Sequence, residues 1–410
     1  MSRDFDVVIV GAGAVGATMA ALLLARKQVS AGRIAIVSAG VPAATAMAAT
    51  DFDLRVFALS RASQRLLSLC GIWQLLPPQR MLAYERMCVW DAQGAPQGAG
   101  SLTFDCAEIG EANLGFIVEG RALLRGCAQA ASAAGAVSIE ATVQQIEVNA
   151  AEVQVRLDDG RELNGRLLIA ADGTASKTRE LLGIGAAGHA YHQDALVAHV
   201  RTGHAHRNTA WQRFLPTGPL AFLPLPDGRS SIVWSVPREE AGRLRALDAA
   251  QFGAALQEAS GDALGGIGLT TPVASFPLHL QYALEYARPR AVLLGDAAHA
   301  VHPLAGQGLN LGLLDCASLA EVLAETPDPA ALGDYRQLRR YERRRKSENL
   351  LAAAAMDGLE RLFSHSSAGV ARLRMAGLDA IGKMPYVRRR LAQRALGLIG
   401  DVPDFLRGES

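Results

Sequence analysis

The sequence predicts an α/β fold with three parts: a domain built on a parallel β-sheet, an inserted and mostly antiparallel β-sheet, and a C-terminal helical region. Three observations predict it. Near the N-terminus a short apolar strand runs into a glycine-rich turn and an apolar helix. In the middle of the chain, side chains alternate as on a half-buried strand, with Leu196, Ala198 and Val200 on one face. Residues 331–410 are helical in pattern and rich in arginine.

Length and composition limit the class of protein. The chain has 410 residues, half of them hydrophobic, which suits two interlocked domains and excludes a largely disordered protein. The net charge of +1 argues against a simple electrostatic nucleic-acid binder. Five cysteines without a CxxC pair argue against a disulfide framework or a zinc site. Neither a secretory signal pattern nor a membrane-spanning apolar stretch is found, so we expect a cytoplasmic protein, with peripheral contact at the inner membrane left open.

The first motif is a nucleotide-binding turn. The apolar run 6–10 leads directly into Gly11, Gly13 and Gly16 in the spacing GxGxxG, and the apolar helix 17–25 follows. In this Rossmann-like context the first glycine permits the tight turn, the second lets the backbone approach a pyrophosphate, and the third allows close helix–strand packing. The helix N-terminus offers free N–H groups to the phosphates.

The second strand of this unit, residues 33–37, should end in an acidic residue that binds the adenosine ribose. Ser38 occupies this position instead. A hydroxyl hydrogen-bonds less strongly than a carboxylate, which weakens the assignment of the ribose site but leaves the assignment of the fold intact.

Two further strand-to-turn segments carry candidate ligand-binding residues. A buried apolar strand is followed by Asp172 and Gly173, a pair that would also suit a β-turn with a helix cap. Another runs into Gly295 and Asp296, where the glycine lets a ligand approach the backbone and the carboxylate can accept hydrogen bonds from sugar or ribityl hydroxyls. A Gly-Gln-Gly turn at 306–308 then precedes an apolar helix.

In order and spacing these segments resemble the three fingerprints of class A FAD-dependent aromatic monooxygenases: GAGAVG at 11–16, ADGTAS at 171–176 and GDAAHAVHPLAGQGLNLG at 295–312. Within that group the chain resembles the ubiquinone-biosynthesis hydroxylases. Further resembling stretches are 53–67, 118–126, 218–237, 274–299 and 341–363. The resemblance implies that the parallel-sheet part is a Rossmann-like FAD-binding domain and that the inserted sheet is a substrate domain.

The resemblance also implies which residues surround FAD. The first glycines would hold the pyrophosphate, two arginines would lie along the phosphates and ribityl chain, and the last segment would line the isoalloxazine ring. A helix start there favours negative charge, which a reduced flavin carries near N1 and O2. The implied cofactor-binding residues are Gly11, Gly13, Gly16, Ser38, Arg55, Arg121, Val143, Asp172, Gly173, Gly295, Asp296, Pro303, Gly306, Gln307, Gly308, Leu309 and Asn310.

Several charged residues near these motifs have a second interpretation. Arg55 would alternatively form a surface salt bridge with Asp51 or Asp53, and Arg121 would be a solvated charge on a helix. Arg179 is a candidate partner for the phosphate of the electron donor, or a solvated residue in a first helical turn. His299 and His302, beside the last motif, are expected to pack and hydrogen-bond locally rather than to transfer protons.

By the same resemblance, NAD(P)H reduces FAD, O2 forms a C4a-hydroperoxide on the reduced flavin, and the aromatic ring of a polyprenyl-phenol intermediate of ubiquinone biosynthesis is hydroxylated. No catalytic side chain and no metal are expected, because the flavin carries the chemistry. The candidate walls of a dry substrate pocket are four aromatic residues, with ordinary core packing as the alternative: Trp211, Phe214, Phe222 and Trp234.

The predicted FAD-binding domain is discontinuous. It covers residues 1–74, 101–182 and 285–330, and the substrate domain covers 75–100 and 183–284. The basic C-terminal helical region, 331–410, is a third part.

Charge is divided unevenly along the chain. Residues 331–410 carry 16 Lys or Arg and 9 Asp or Glu, a net charge of +7, so residues 1–330 carry 25 and 31, a net charge of −6. Basic clusters at 336–346 and 388–394 would let an amphipathic surface dock on anionic lipid, where a prenylated substrate resides. A solvated helix, or a contact with other ubiquinone-biosynthesis proteins, is the alternative.

Two other functions remain open at this point. A flavin-dependent reductase of an isoprenoid or quinone substrate would share the first motif. A non-catalytic flavoprotein that scaffolds a biosynthetic complex would be consistent with the weak ribose position at Ser38.

Overall fold

The computed structural model describes residues 4–40, 52–300, 306–325, 328–365 and 367–407. Asp51, His302 and Pro303, considered above, lie outside the described residues. In chain order the strands are β1 (Val7–Val10), β2 (Ile34–Ser38), β3 (Val56–Leu59), β4 (Met81–Tyr84), β5 (Arg86–Asp91), β6 (Ser101–Asp105), β7 (Gly115–Glu119), β8 (Val137–Glu140), β9 (Val143–Val148), β10 (Val153–Leu157), β11 (Glu162–Gly165), β12 (Leu167–Ala170), β13 (Ala186–Thr202), β14 (Thr209–Leu215), β15 (Gly218–Pro224), β16 (Ser230–Pro237), β17 (Ile267–Leu269), β18 (Ala274–Ala283), β19 (Ala287–Arg288), β20 (Ala291–Leu293) and β21 (His299–Ala300). The α-helices are α1 (Ala14–Ala25), α2 (Arg61–Leu69), α3 (Cys106–Ile109), α4 (Gly120–Ala133), α5 (Lys177–Leu181), α6 (Arg238–Arg245), α7 (Ala249–Ser260), α8 (Gln307–Ala324), α9 (Tyr335–Ser364), α10 (Ala368–Gly382) and α11 (Pro385–Ala395).

A six-stranded sheet, in the order β19-β20-β12-β1-β2-β8, carries the glycine motifs at its edge. Its strands run parallel except for β19, which is an antiparallel edge strand. β1 and β12 are buried along their whole length. Side chains of α1, α4 and α8 cover one face of this sheet, and the small antiparallel sheet β9–β11 covers the other. Burial on both faces explains why these strands are unbroken apolar runs without alternation.

α1 is apolar on every side because it is buried on every side. Leu22 and Leu23 are fully buried, and the helix packs between α4 and α8. It begins at Ala14, directly after the N-cap residue Gly13, three residues before the predicted start. The early start brings the free N–H groups of the first helical turn to the glycine turn itself.

A nine-stranded sheet forms the second layer, in the order β21-β18-β13-β16-β15-β14-β5-β6 with β17 beside β13. All pairs are antiparallel except β14 with β5. One face packs against α6 and α7 and buries Leu196, Ala198 and Val200, as the alternation in the sequence predicted. Val197 and His199 therefore lie on the opposite face.

The C-terminal helices tie the two large sheets together. α9 packs against α8 and β19 near its start, and against β14 and β15 farther along. Near its end the ring of Phe363 stacks on Phe214 with 4.1 Å between ring centroids. α10 continues along β5 and β6, and α11 contacts α3. Among the described residues, no helix has the combination of length and apolar character needed to cross a bilayer.

The predicted fold class, with a Rossmann-like sheet, an inserted antiparallel sheet and C-terminal helices, is confirmed. The domain boundaries remain a prediction. β6, which the sequence analysis placed in the FAD-binding domain, pairs with β5 in the nine-stranded sheet, so sheet membership favours moving residues 101–105 to the substrate domain.

Candidate functional site

One cavity of about 1050 Å³ lies between the two large sheets. Its lining begins at the carboxyl ends of β1, β2 and β12 and extends to the face of β13–β16 that is turned away from α6 and α7. Ligands of open α/β sheets bind at that edge of the strands. The volume is slightly above the usual range for small-molecule sites, about 300–1,000 Å³, so the cavity has room for an extended ligand.

The three glycines at the start of α1 differ in what surrounds them. Gly11 has a φ of +112°, and a Cβ there would be 2.2 Å from the carbonyl oxygen of Ala171. A Cβ on Gly16 would be 2.0 Å from the carbonyl oxygen of Gly11. A Cβ on Gly13 would meet no atom within 4 Å. Gly11 and Gly16 are therefore needed by the protein itself, while the space at Gly13 is open for a ligand.

Two residues at the next strands border the same end of the cavity. Ser38 ends β2, and its hydroxyl donates a hydrogen bond to the carbonyl of Gly40 at 3.1 Å. Val143 begins β9 and lines the cavity beside Thr142. Ser38 is the predicted ribose position and Val143 is one of the implied cofactor-binding residues, and both roles remain predictions.

The two arginines predicted along the phosphates have different surroundings. Arg55 lines the cavity, and its guanidinium lies over the ring of Phe57 at 4.9 Å. The carboxylate of Asp53 accepts hydrogen bonds from the backbone N–H groups of Arg55 and Arg121. Arg121 does not border the cavity; its Nε lies 3.8 Å from Asp53 and 3.9 Å from Glu119. The geometry therefore favours Arg55 over Arg121 as a residue that touches a bound cofactor.

Asp172 and Gly173 line the cavity at the end of β12. The Asp172 carboxylate accepts hydrogen bonds from the hydroxyl of Ser176 and, at 2.9 Å, from the backbone N–H of Thr178. This carboxylate therefore also shapes the turn before α5, and Gly173 supplies a φ of +85° there. The N-cap of α5 is Ser176 and not Asp172, which supports the start of the helix from four residues upstream. Contact of Asp172 with a ligand remains a prediction.

Arg179 is neither solvated nor free. It is buried, and its guanidinium donates hydrogen bonds to the carbonyl oxygens of Thr174 at 3.2 Å and Ala297 at 3.1 Å. Thr174 belongs to the second fingerprint and Ala297 to the third. Arg179 thus joins two cavity-lining turns, a role that sequence reasoning did not assign to it.

The Gly295–Asp296 turn presents one carboxylate to the cavity. Gly295 has a φ of +57°, and a Cβ there would be 3.1 Å from Val15 on α1. Asp296 is open to the cavity but surrounded by protein. Burial raises the pKa of its carboxyl, and the nearby His299 and Arg55 counteract part of that effect. Such a carboxylate is stabilised by hydroxyl donors, which a ribityl chain supplies.

The start of α8 closes the cavity opposite the nine-stranded sheet. Gly306 is the N-cap with a φ of +63°, and Gly308 and Leu309 line the cavity. The helix begins at Gln307, so the Gly-Gln-Gly segment forms its N-cap and the start of its first turn and is not a separate turn before it. Gln307 itself does not border the cavity.

Asn310 holds the helix start in place. Its side-chain oxygen accepts hydrogen bonds from the backbone N–H of Ser60 at 2.9 Å and the hydroxyl of Ser63 at 2.7 Å. Its amide nitrogen donates to the carbonyl oxygens of Ala58 at 2.8 Å and Gly306 at 3.3 Å. Asn310 is buried and does not line the cavity, so it positions the first turn of α8 without reaching a ligand.

A buried polar network supports the Gly295–Asp296 turn from behind. Asp315, on α8, accepts hydrogen bonds from the backbone N–H of Gly295 at 3.1 Å and from Arg345 Nε at 2.8 Å, and its Oδ2 lies 2.5 Å from His299 Nε2. Arg345 also donates to Asn349 at 2.9 Å. Burial raises the pKa of the Asp315 carboxyl, but His299 and Arg345 outweigh burial and lower the pKa to about 2.

Sequence reasoning missed Asp315 and Arg345. The available signal was an acidic residue, Asp315, flanked by apolar residues in the helix after the Gly-Gln-Gly segment, because a buried carboxylate needs a charged partner. The prediction that Arg345 belongs to an exposed basic surface on this helix is wrong, because its side chain is almost fully buried. The expectation that His299 hydrogen-bonds locally agrees with the structure.

The predicted aromatic walls need correction. Trp211 borders the cavity but also packs against the core between the nine-stranded sheet and α6–α7, in which Phe222 and Trp234 lie. Phe214 packs against Phe363 in a separate cluster. The cavity face of the sheet instead carries small side chains: Ala195, Val197, Ala210, Ala221, Val233 and Ser235. One residue of shift along a strand exchanges these faces, and the apolar runs did not mark which face was which.

These residues fit a dinucleotide that ends in a flat ring. An open space lies over Gly13 at a helix N-terminus, a carboxylate faces the middle of the cavity, and a glycine-rich helix start faces an apolar wall. FAD meets all three requirements.

Comparisons with known proteins agree with this geometry. A profile of the FAD binding domain matches residues 116–353. Ubiquinone hydroxylase UbiL of Rhodospirillum rubrum is 36% identical over 98% of this chain and 92% of its own length. The 3-demethoxyubiquinol 3-hydroxylase of Escherichia coli is 32% identical over 97% of this chain and 100% of its own length. The crystal structure of p-nitrophenol 4-monooxygenase from Pseudomonas putida superimposes with a TM-score of 0.76 at 18% identity, with both chains fully covered, and shows the same fold.

Gly13→Ala is expected to weaken FAD binding without weakening the fold. The new methyl group points into open space in the protein but would occupy the approach to the pyrophosphate. We expect at least a tenfold higher dissociation constant for FAD, about 1.4 kcal/mol, when the apoprotein is titrated and flavin fluorescence is followed. Gly16→Ala is the matched control. Its methyl group collides with the carbonyl of Gly11, so it should lower the stability of the apoprotein by about 1–3 kcal/mol. Equal effects of both variants on the apoprotein would contradict this assignment.

Asp315→Asn is expected to destabilise the protein strongly. The amide has nearly the same shape but leaves the buried Arg345 without a counter-charge, which costs about 3–5 kcal/mol in the free energy of unfolding. The measurement is urea denaturation at pH 7. Glu240→Gln, which breaks an exposed pair with Arg243 on α6, is the control and should change stability little. A similar small effect for both variants would refute the importance of the network.

Proposed function

The chain belongs to the FAD-dependent aromatic monooxygenases that include the ubiquinone-biosynthesis hydroxylases, and from this premise we propose that it hydroxylates the ring of a prenylated phenol or quinol with O2 and NAD(P)H. The observation that carries the proposal is the single cavity shared by the glycine motifs and the small-residue face of the nine-stranded sheet. A cofactor held at one side of this cavity faces a substrate held at the other.

The chain positions the reactants and excludes water. When bound, FAD supplies the redox and oxygen-activating chemistry that side chains do not provide. Gly11, Gly13 and the N-terminus of α1 would hold its pyrophosphate, and Asp296 would accept hydrogen bonds from its ribityl hydroxyls. The first turn of α8 directs backbone N–H groups at the end of the cavity where the ring would lie, and so favours negative charge there.

The apolar wall between the sheets suits an aromatic substrate. Ala221 and Val233 leave a flat space on the sheet, because neither side chain extends far from the strand. Side chains of β3, including Val56 and Ala58, lie on the other side. A dry wall protects reactive intermediates from hydrolysis and proton leakage, which hydroxylation requires.

Product analysis tests the proposed reaction. The holoenzyme is incubated with a short-chain prenylated phenol, ¹⁸O2 and either NADH or NADPH, and the product is examined by mass spectrometry. We expect one ¹⁸O atom in the product, as a new hydroxyl group on the ring, with the other atom released as water, and faster turnover with one of the two donors. Oxidation of NADPH with reduction of the substrate and no oxygen consumption would favour the reductase. A protein that is purified without flavin and does not rebind FAD would favour the scaffold.

We also propose that the C-terminal helices contact an anionic membrane, through α10 and α11 rather than α9. On α9 most of the basic side chains are neutralised within the protein: Arg344 pairs with Glu321 and Asp401, and Arg340 pairs with Glu325. Together with the buried Arg345, these pairs use much of the basic charge of α9, and Arg336 and Arg343 are its exposed arginines outside the ion pairs of the described residues.

α10 and α11 combine exposed apolar and exposed basic residues. Leu373 is 71% exposed and Tyr386 is 73% exposed. Arg389 and Arg390 are exposed on α11, one turn after Tyr386. The acidic residue of these two helices, Asp379, accepts a hydrogen bond from the backbone N–H of Gly100. Aromatic and leucine side chains next to arginines are the chemistry of a helix that lies in the lipid headgroup region.

The double substitution Arg389→Glu with Arg390→Glu tests this contact. Each arginine near an anionic surface contributes about 1 kcal/mol, so losing two should lower vesicle partitioning at least about thirtyfold. The measurement is flotation with vesicles that contain or lack anionic phospholipid, at low and high salt. Arg201→Glu with Arg245→Glu, a matched charge change at exposed positions outside these helices, is the control. No flotation of the unmodified holoenzyme on anionic vesicles would refute the contact.

A further inference from the structure

A second cavity, of about 320 Å³, lies between α4 and the chain that links α2 to β4. Ala122, Arg125 and Gln129 of α4 line one side of it, at spacings of three and four residues that put them on one face of the helix. Residues of the segment 75–80 line the other side. None of the described lining residues borders the larger cavity between the two sheets.

The walls of the second cavity are positioned by core packing. A Cβ on Gly126 would be 3.0 Å from the side chain of Leu76 and 3.5 Å from that of Ile72, so this glycine lets the linking chain lie close against α4. Ile72 and Leu76 are buried in the same core cluster as α4. The residues that flank this contact on both segments therefore face each other across the cavity from well-packed positions.

The charged side chains that line the second cavity in the described part of the chain are both arginines, Arg80 and Arg125. Arg80 is almost fully buried, and its Nη1 lies 3.1 Å from the fully buried carboxylate of Glu119. Its guanidinium also lies 5.5 Å from the centre of the Phe52 ring. These two contacts hold Arg80 at the cavity wall, and Glu119 itself does not line the cavity.

Arg125 differs from Arg80 because no carboxylate neutralises it among the described residues. Its side chain is half-buried and forms neither an ion pair nor a hydrogen bond there. A cation that is partly removed from water without a counter-ion is destabilised, and a concave surface lined by charges of one sign attracts ions of the other. The second cavity therefore favours an anion.

The other lining side chains restrict the class of anion. The planar guanidinium of arginine matches the geometry of a carboxylate or a phosphate. Leu75, which is 44% exposed, contributes apolar surface together with Pro77 and Ala122. The volume is near the lower end of the usual range for small-molecule sites, about 300–1,000 Å³. A small carboxylate with a short apolar chain satisfies both the charge and the apolar surface.

We propose that the second cavity binds a small organic carboxylate, with its charged group between Arg80 and Arg125 and its apolar chain against Leu75 and Ala122. This site goes beyond the proposed function, because its described lining residues do not reach the cavity in which FAD and an aromatic substrate would lie. The bound carboxylate supplies the counter-ion that Arg125 lacks within the described structure.

The test compares three probes by isothermal titration calorimetry of the FAD-loaded protein at low ionic strength: pentanoate, pentanamide and inorganic phosphate. Pentanamide has nearly the shape of pentanoate without its charge, and phosphate has charge without an apolar chain. We expect a dissociation constant of about 1 mM for pentanoate and at least about tenfold weaker binding of the other two. Salt should weaken the binding of pentanoate, because it screens the two arginines.

Two variants locate the binding site. Arg125→Gln removes the unneutralised cation, and Gln129→Glu adds a negative charge at an exposed position on the same face of α4. We expect the dissociation constant of pentanoate to rise at least about tenfold in the first and about threefold in the second. The matched controls are Arg245→Gln and Gln144→Glu, at exposed positions outside the cavity, and both should bind pentanoate like the unmodified protein.

FAD content and melting temperature are measured for all four variants and should remain unchanged. Absence of saturable pentanoate binding, or equal affinity for pentanamide, would overturn the anion site. An unchanged affinity in Arg125→Gln would place any bound pentanoate elsewhere and would overturn the assignment to the second cavity. Phosphate that binds as tightly as pentanoate would overturn the role of the apolar wall. Each of these results is independent of whether the protein hydroxylates a prenylated phenol.

Discussion

The buried carboxylate of Asp315 is the interaction on which the cofactor side of this protein depends. It accepts a hydrogen bond from the backbone of Gly295, lies against His299, and is neutralised by Arg345 from the long helix α9. A carboxylate in this position is stable only with its cationic partner, so the turn that presents Asp296 and the helix that carries Arg345 must be correctly placed together. The C-terminal region is thereby part of the cofactor site, although it lies far from that site in sequence.

Two other side chains hold cavity-lining segments in place through hydrogen bonds to the backbone. Arg179 joins the second and third glycine-containing turns through two backbone carbonyls, and Asn310 attaches the first turn of α8 to the segment around Ser60. Neither side chain need touch a ligand. Both hold in place backbone turns that border the cavity, and a preorganised backbone binds phosphate and a developing negative charge without further rearrangement.

The two walls of the cavity have different physical tasks. The glycine side offers backbone donors and one carboxylate, which suit a polar cofactor chain. The sheet side is lined by small and mostly apolar side chains with a few hydroxyl and amide groups, which suits a ring with few polar substituents. The large aromatic residues of the nine-stranded sheet, Phe222 and Trp234, stabilise it from behind by packing on α6 and α7. The size of the cavity thus depends on aromatic bulk being kept on the far face.

The sequence by itself determined the fold class, the three glycine-containing turns and the order in which they follow their strands, because glycine spacing and buried apolar runs are local consequences of backbone sterics and burial. It also identified Gly13 and Asp296 as candidates to face a ligand. Only the tertiary structure decided which side chains reach the cavity. Arg345 belongs to a basic run in the sequence and is buried, and Phe222, expected as a pocket wall, lies in the core. The reason is that strand face, helix orientation and ion pairing are set by contacts between residues distant in sequence. A shift of one residue in strand pairing moves a side chain to the other face of the sheet. Whether a charged side chain is solvated or buried depends on a partner elsewhere in the chain.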